Sequence, residues 1–209
     1  MKRSLHIVSG CVIAAGSVIK NGEVVYSDKN VTFQSFLVQL YKYLQVDYPK
    51  FYKMDNLSKL GWLASEVLLK EEAIVKQYKP EEIGLLLTNA NSSLEADVKY
   101  FQTIEMASPA LFVYTLPNIL NGEICIRNNF KGENACFIFG AFNAAFIKEY
   151  ADDLFANNKL KLCICGWVDV LGEDYKAALY LVGDHATASS IAFTEANMNK
   201  AFENVNGQS

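Results

Sequence analysis

Short apolar runs bounded by turn residues alternate along this chain with longer stretches whose apolar residues recur every three or four positions. Residues 5–14 are β-branched and loosely alternating, which predicts a strand. Lys20-Asn21-Gly22-Glu23 reads as a turn, with a short strand at 24–26. Between residues 32 and 48, Phe33, Phe36, Leu37, Leu40, Tyr41 and Leu44 share one helical face, and Pro49 ends it. Asp55 or Asn56 caps a second helix with Leu60, Leu63, Ala64, Val67 and Leu68 as its buried stripe. Residues 83–88 fit a buried strand, and a helix capped by Ser92 or Ser93 follows. Pro117 and Asn118 open another helix. Residues 135–139 read as a strand, 141–157 as an apolar helix, and 160–168, 177–182 and 189–194 as strands. The order predicts an α/β or α+β protein with a mixed sheet. No repeat or linker divides the 209 residues, so a single domain over 1–209 is expected.

Half of the residues are hydrophobic and 12% aromatic, enough to bury a core. The net charge is -4 and no basic stripe is present, which argues against nucleic acid. Lys2, Arg3 and the apolar run behind them invite comparison with a signal peptide. His6, Ser9 and Gly10 interrupt that run, so a first strand is the better reading. No run of 18 apolar residues is present, and no membrane span is expected. Five cysteines, at 11, 125, 136, 163 and 165, lack the paired spacing of a disulfide framework. Reduced, buried thiols in a cytoplasmic protein are the expectation.

Few residues suggest chemistry. The only histidines are His6 and His185, and neither has a neighbour at metal-ligand spacing, so no metal site is expected. Neither of the glycine-rich phosphate-binding motifs occurs, and no cofactor is expected. Cys163 and Cys165 share one face of a strand, as core filling or as a redox pair. Residues 132–146, GENACFIFGAFNAAF, have the glycine, alanine and aromatic content of a strand-to-helix turn built around a nucleophile. That turn holds no serine, threonine or cysteine, and Cys136 precedes it. Cys136 is the best nucleophile candidate, given a helix N-terminus shortly after it, but no histidine partner is identifiable.

The order of segments resembles the N-terminal half of a β-ketoacyl synthase, in the thiolase-like superfamily, across most of residues 4–183. LHIVSGCVIAAG resembles the opening strand and turn, MDNLSKLGWLASEVLL the family's M-D-R-x-S segment and long helix, and KPEEIGLLLTNANSS the next strand and turn. ASPALFVYTLPNILNGEICIRNNFKGENA resembles the P…M-x-N helix and a glycine-proline-asparagine turn, here Gly132-Glu133-Asn134. LCICGWVDV resembles a later strand ending in two glycines and an acidic residue, here Gly166, Trp167 and Asp169. The chain looks closest to the short ketosynthase-like proteins of aryl polyene and pigment gene clusters.

The resemblance implies a thiolase-like half domain, with a mixed sheet of five or more strands and helices on both faces. It also implies a degenerate site. Nine residues after Gly132, where ketosynthases carry the cysteine of T-A-C-x-S-G, stands Ala141. The two histidines and lysine of an active ketosynthase belong to a C-terminal half that this chain is not expected to contain. Condensation needs a thiolate to hold the acyl chain and donors to stabilise the enolate. The leading expectation is therefore a non-catalytic ketosynthase-like subunit of fatty-acid-like or polyene synthesis. The alternatives are an acyltransferase or thioesterase-like enzyme using Cys136, and a stand-alone acyl-thioester binding module. Phe139, Phe142, Asn118 and Pro117 are the positions carried over as substrate-binding. The helix at 141–157 would lie between two sheets in a complete fold, so its outer face is expected to be apolar. A homodimer, or a heterodimer with a full-length ketosynthase, follows from that, with acyl carrier protein as a further partner.

Overall fold

The computed structural model describes residues 4–204. The elements in chain order are β1 (His6–Ala14), β2 (Ser17–Lys20), β3 (Glu23–Ser27), α1 (Phe33–Leu44), α2 (Asn56–Leu69), β4 (Ile83–Asn89), α3 (Leu94–Gln102) and α4 (Pro109–Val113). They continue with α5 (Ile119–Asn128), β5 (Asn134–Ile138), α6 (Ala144–Ala156), β6 (Leu162–Leu171), β7 (Asp174–Gly183), β8 (Ile191–Ala192) and α7 (Glu195–Glu203). All eight strands join one mixed sheet in the order β3-β2-β1-β7-β6-β4-β5, with β8 paired to β1 off this path. β4 runs parallel to β5 and β6, and the remaining pairs are antiparallel.

The central strands are apolar on both sides because helices cover both faces of the sheet. In β6, Leu162, Ile164, Val168 and Val170 pack toward α1, α2 and α5, while Cys163 and Cys165 pack toward α6 and α7. β7 divides the same way, with Leu179 and Leu181 on one side and Ala178, Tyr180 and Val182 on the other. Period-two geometry converts one continuous apolar run into two cores.

Helix α2 is the centre of the first core. Asp55 caps it by accepting from Ser58 N at 3.0 Å. Its stripe packs on β1 and β7, and a Cβ at Gly61 would fall 2.5 Å from Leu120 Cδ1, so glycine sets how closely α5 crosses. Trp62, wholly buried, stacks on Tyr48 at 5.2 Å, and the Arg127 guanidinium lies over both rings while it grips Glu66 at 2.9 and 3.1 Å.

Several expectations need correction. β2, α4 and α7 were not expected. Residues 189–194 supply only the two-residue β8 before α7 begins. α1 stops at Leu44 because Gln45 turns left-handed, at φ 54°. Ser93 precedes α3 without capping it; its single hydroxyl proton lies within reach of the Thr115 carbonyl at 2.9 Å and Asp97 Oδ2 at 3.1 Å. The outer face of α6 is not apolar. Ala144, Ile147, Ala151, Leu154 and Phe155 all turn to the sheet, leaving Glu149, Asp152 and Asp153 outward. A helix whose long apolar side chains are spent on one sheet has none left for a second. The exposed apolar side chains gather elsewhere. Phe101, Ile104, Met106 and Phe112, between 51% and 89% exposed, lie in the segment from α3 to α4. No helix among the described residues is long and apolar enough to cross a membrane.

Candidate functional site

The parallel strands β5 and β4 end together beside β6, and the crevice beyond such carboxyl ends is where open α/β sheets bind ligands. The turn from β5 to α6, residues 139–143, borders it. The Phe139 amide donates to the Asn89 carbonyl at 2.8 Å, which ties the turn to the end of β4. Asn143 starts α6 by accepting from Phe146 N at 3.0 Å. Ala141 sits between these two anchors, solvent-exposed, in the turn itself. It offers only a methyl group to the turn.

The flanking aromatics are half-buried against neighbouring rings. Phe139 lies 4.7 Å from Phe146. Phe142 stacks face to face on Phe202 of α7 at 4.2 Å, with Trp167 edge-on to both rings. Lys176 Nζ lies 3.7 Å from the centroid of the Phe202 ring, and burial holds its pKa below the ordinary lysine value. Phe202→Ala is expected to cost ~2 kcal/mol through lost stacking and packing. Hydrogen exchange in α7 should quicken with it; unchanged exchange would show that the stack does not hold the helix.

Cys136 is placed on the other side of the sheet. Phe137 packs on Phe146 and Tyr150 of α6. Its neighbour Cys136 points the opposite way, with its Sγ 3.6 Å from the Pro117 carbonyl. Thus the structure brings Cys136 together with Pro117 at the start of α5, and groups Phe139 and Phe142 with α6 and α7. Strand parity keeps the two sets apart. Asn118 is exposed at the N-cap position of α5 and makes no side-chain cap bond.

Among the described residues no cation lowers the pKa of the Cys136 thiol, and burial raises it above the ordinary value. Burial raises Cys125 to about 11 and Cys11 to about 12 in the same way. The histidines are remote from the turn. His6 pairs with Gly183, which also faces Leu162 at the start of β6, the opposite end of the strands from residues 139–143. His185 contacts Tyr78 and Asp184 beyond that same end. A raised pKa leaves less thiolate at a given pH. Alkylation of Cys136 by iodoacetamide at pH 8 is therefore expected to run ~10-fold slower than that of free cysteine, and to keep accelerating above pH 9. A rate equal to free cysteine's would contradict this placement.

Sequence does not single out three buried polar groups, Asn89 and Thr88 at the crevice and Asn121 beside the start of β5. Asn89 is almost fully buried at the end of β4, and its Oδ1 has no hydrogen-bond partner among the described residues. Asn121 ties α5 to β5 through Asn134 Oδ1 at 2.7 Å and the Ala135 carbonyl at 2.9 Å. Thr88 donates to the Gly166 carbonyl at 2.9 Å. Each follows a short apolar run, a signal that sequence alone does not separate from an ordinary strand end or helix start.

No family model matches the sequence, and no curated protein does. Solved structures match across most of the chain. One is the ishigamide ketosynthase/chain length factor, with TM-score 0.60 and 14% identity, covering 88% of this chain and 63% of that one. Another is a type II polyketide synthase acyl-carrier protein in complex with its ketosynthase bound to the hexaketide, with TM-score 0.59 and 15% identity, covering 87% and 62%. A third is a ketosynthase in complex with its chain length factor from Xenorhabdus doucetiae, with TM-score 0.54 and 12% identity, covering 88% and 80%. The fold is thiolase-like, shared with these ketosynthase structures. The chain spans under two thirds of the length of the first two, at 63% and 62%.

Proposed function

We propose that this chain is a non-catalytic ketosynthase-like subunit, working as one domain over residues 1–209 in the cytoplasm. It assembles with an active ketosynthase in fatty-acid-like or polyene synthesis, and acyl carrier protein docks on that assembly. The observation that carries the reading is Ala141. In a thiolase-like fold it occupies the turn between β5 and α6, at the carboxyl ends of the parallel strands, and a methyl group holds no acyl chain. Cys136 does not replace it, because its thiol lies on the far face of β5 and burial disfavours the thiolate. Phe139 and Phe142 then fill space beside the degenerate turn, while Pro117 and Asn118 belong to the α5 side.

The partner surface is the free edge of β5 together with the apolar segment from α3 to α4. β5 ends the sheet, so one row of its backbone donors and acceptors is open to a second strand. Ile138, at the end of β5, is 53% exposed, and the Cys136–Pro117 contact joins this edge to the segment after α4. The complexes of ketosynthases with chain length factors among the similar structures support a ketosynthase as the occupant. Co-expression with ketosynthases of the same organism is expected to give an equimolar complex. Ile138→Lys should abolish it by placing a charge at the edge. A chain that stays monomeric with every ketosynthase offered would overturn the proposal.

A further inference from the structure

Away from the crevice, a cleft of about 310 Å3 opens between the β1–β2 edge and α7. Its wall is apolar, built from Ile7 and Val12 of β1 and Ile19 of β2. Four polar side chains converge on its rim: Asn21, Asn197, Lys200 and Asn204. The chain carries 23 acidic residues, yet none lines this cleft among the described residues. Lys200 forms no ion pair among them, and its exposed ammonium is the one cation at the rim.

Gly10 supplies an independent observation. It lies within β1 and also lines the cleft. Its φ is not left-handed, so the backbone does not demand glycine. Packing does not demand it either, because a Cβ there would meet nothing closer than Tyr180 Cδ1 at 3.9 Å. A glycine inside a strand weakens it, and such a residue often marks close approach by a ligand or another backbone. Here the missing side chain leaves the space open. Asn21 holds the opening in shape, since its Oδ1 accepts from Gly10 N at 2.7 Å and its backbone N–H donates to the Gly10 carbonyl at 2.9 Å.

We propose that this cleft binds a small monocarboxylate with an unbranched apolar tail of roughly eight carbons, a size suited to the lower end of ligand-pocket volumes. The tail lies on Ile7, Val12 and Ile19 over Gly10, and the carboxylate meets Lys200 with amide donors beside it. One ammonium flanked by asparagines suits a monoanion, whereas a phosphate group calls for a denser cluster of donors. The absence of carboxylates disfavours a cationic amphiphile. This inference does not rest on the ketosynthase reading, because the cleft lies on β1, β2 and α7, apart from Ala141 and the β5 edge.

The test is calorimetric titration of the full chain with sodium octanoate, with octylammonium and octanol as charge controls. Octanoate is expected to bind saturably, and octylammonium at least ~10-fold more weakly. Gly10→Leu should fill the cleft from its floor and remove octanoate binding. Lys200→Met should weaken octanoate ~10-fold and leave octanol unchanged. No saturable octanoate binding, equal binding of octylammonium, or octanoate binding untouched by both variants would overturn the proposal. Should Gly10→Leu fail to fold, Lys200→Met decides, since Lys200 is exposed and its loss leaves the core intact.

Discussion

Gly166→Ala is expected to cost more than ~4 kcal/mol, placing it among the most damaging single substitutions a domain experiences. Gly166 lies in β6 at φ 149°, a backbone conformation that L side chains rarely adopt. A Cβ there would fall 2.0 Å from the Ala178 carbonyl oxygen, with the Ala178 carbonyl carbon and Leu179 Cα at 3.0 and 3.1 Å. Every one of these atoms is backbone of the paired strand β7, so no rotamer change relieves the contact. The strands must separate at the Gly166–Leu179 pair. For a chain of this length the melting temperature should fall by ~10 °C or more. Gly172→Ala is the matched control. Gly172 also has a positive φ, of 65°, but a Cβ there meets nothing within 4 Å. Its cost should stay near ~1 kcal/mol, the conformational term alone. Equal melting temperatures for the two variants would refute the steric account.

Asp169→Ala is expected to cost ~3 kcal/mol, because one carboxylate organises the whole turn between β4 and α3. Its Oδ1 accepts from Ala90 N at 3.1 Å and Asn91 N at 2.9 Å, and its Oδ2 accepts from Asn91 Nδ2 at 2.7 Å. Alanine would leave two part-buried amides without an acceptor beside the crevice. Asp169→Asn keeps the shape and one acceptor oxygen but turns an amide NH2 toward a donor, so its cost should be intermediate. Amide exchange at residues 90 and 91 reads the effect locally. Protection that survives in Asp169→Ala would mean that the turn is held by something other than this carboxylate.

The strands that carry the core were legible because their composition leaves little choice. β1 and β6 are rich in Ile and Val, β4 is a short apolar run bounded by turn residues, and α2 announces itself by its cap at Asp55 and its stripe. β2 was missed because its four residues follow the Ala15-Gly16 turn so tightly that they read as a tail of β1. α7 was missed although its signals were present. Thr194 caps it by accepting from Asn197 N, and Met198, Ala201 and Phe202 form its narrow apolar stripe within an otherwise polar segment. Missing α7 hid Phe202, and with it the aromatic stack against Phe142. The polar outer face of α6 is readable from Glu149, Asp152 and Asp153, which a helix buried between two sheets would not carry. Strand parity alone separates Cys136 from Phe137. Knowing that α5 covers one face of β5 and α6 the other required the assembled sheet.

On the proposed reading, this thiolase-like chain holds no acyl group of its own. This is tested most directly by intact mass after incubation with a reactive acyl thioester, for the natural chain and for Cys136→Ala. The account predicts no covalent adduct on either protein at neutral pH. An acyl adduct on the natural chain that disappears in Cys136→Ala would contradict it and make Cys136 a nucleophile.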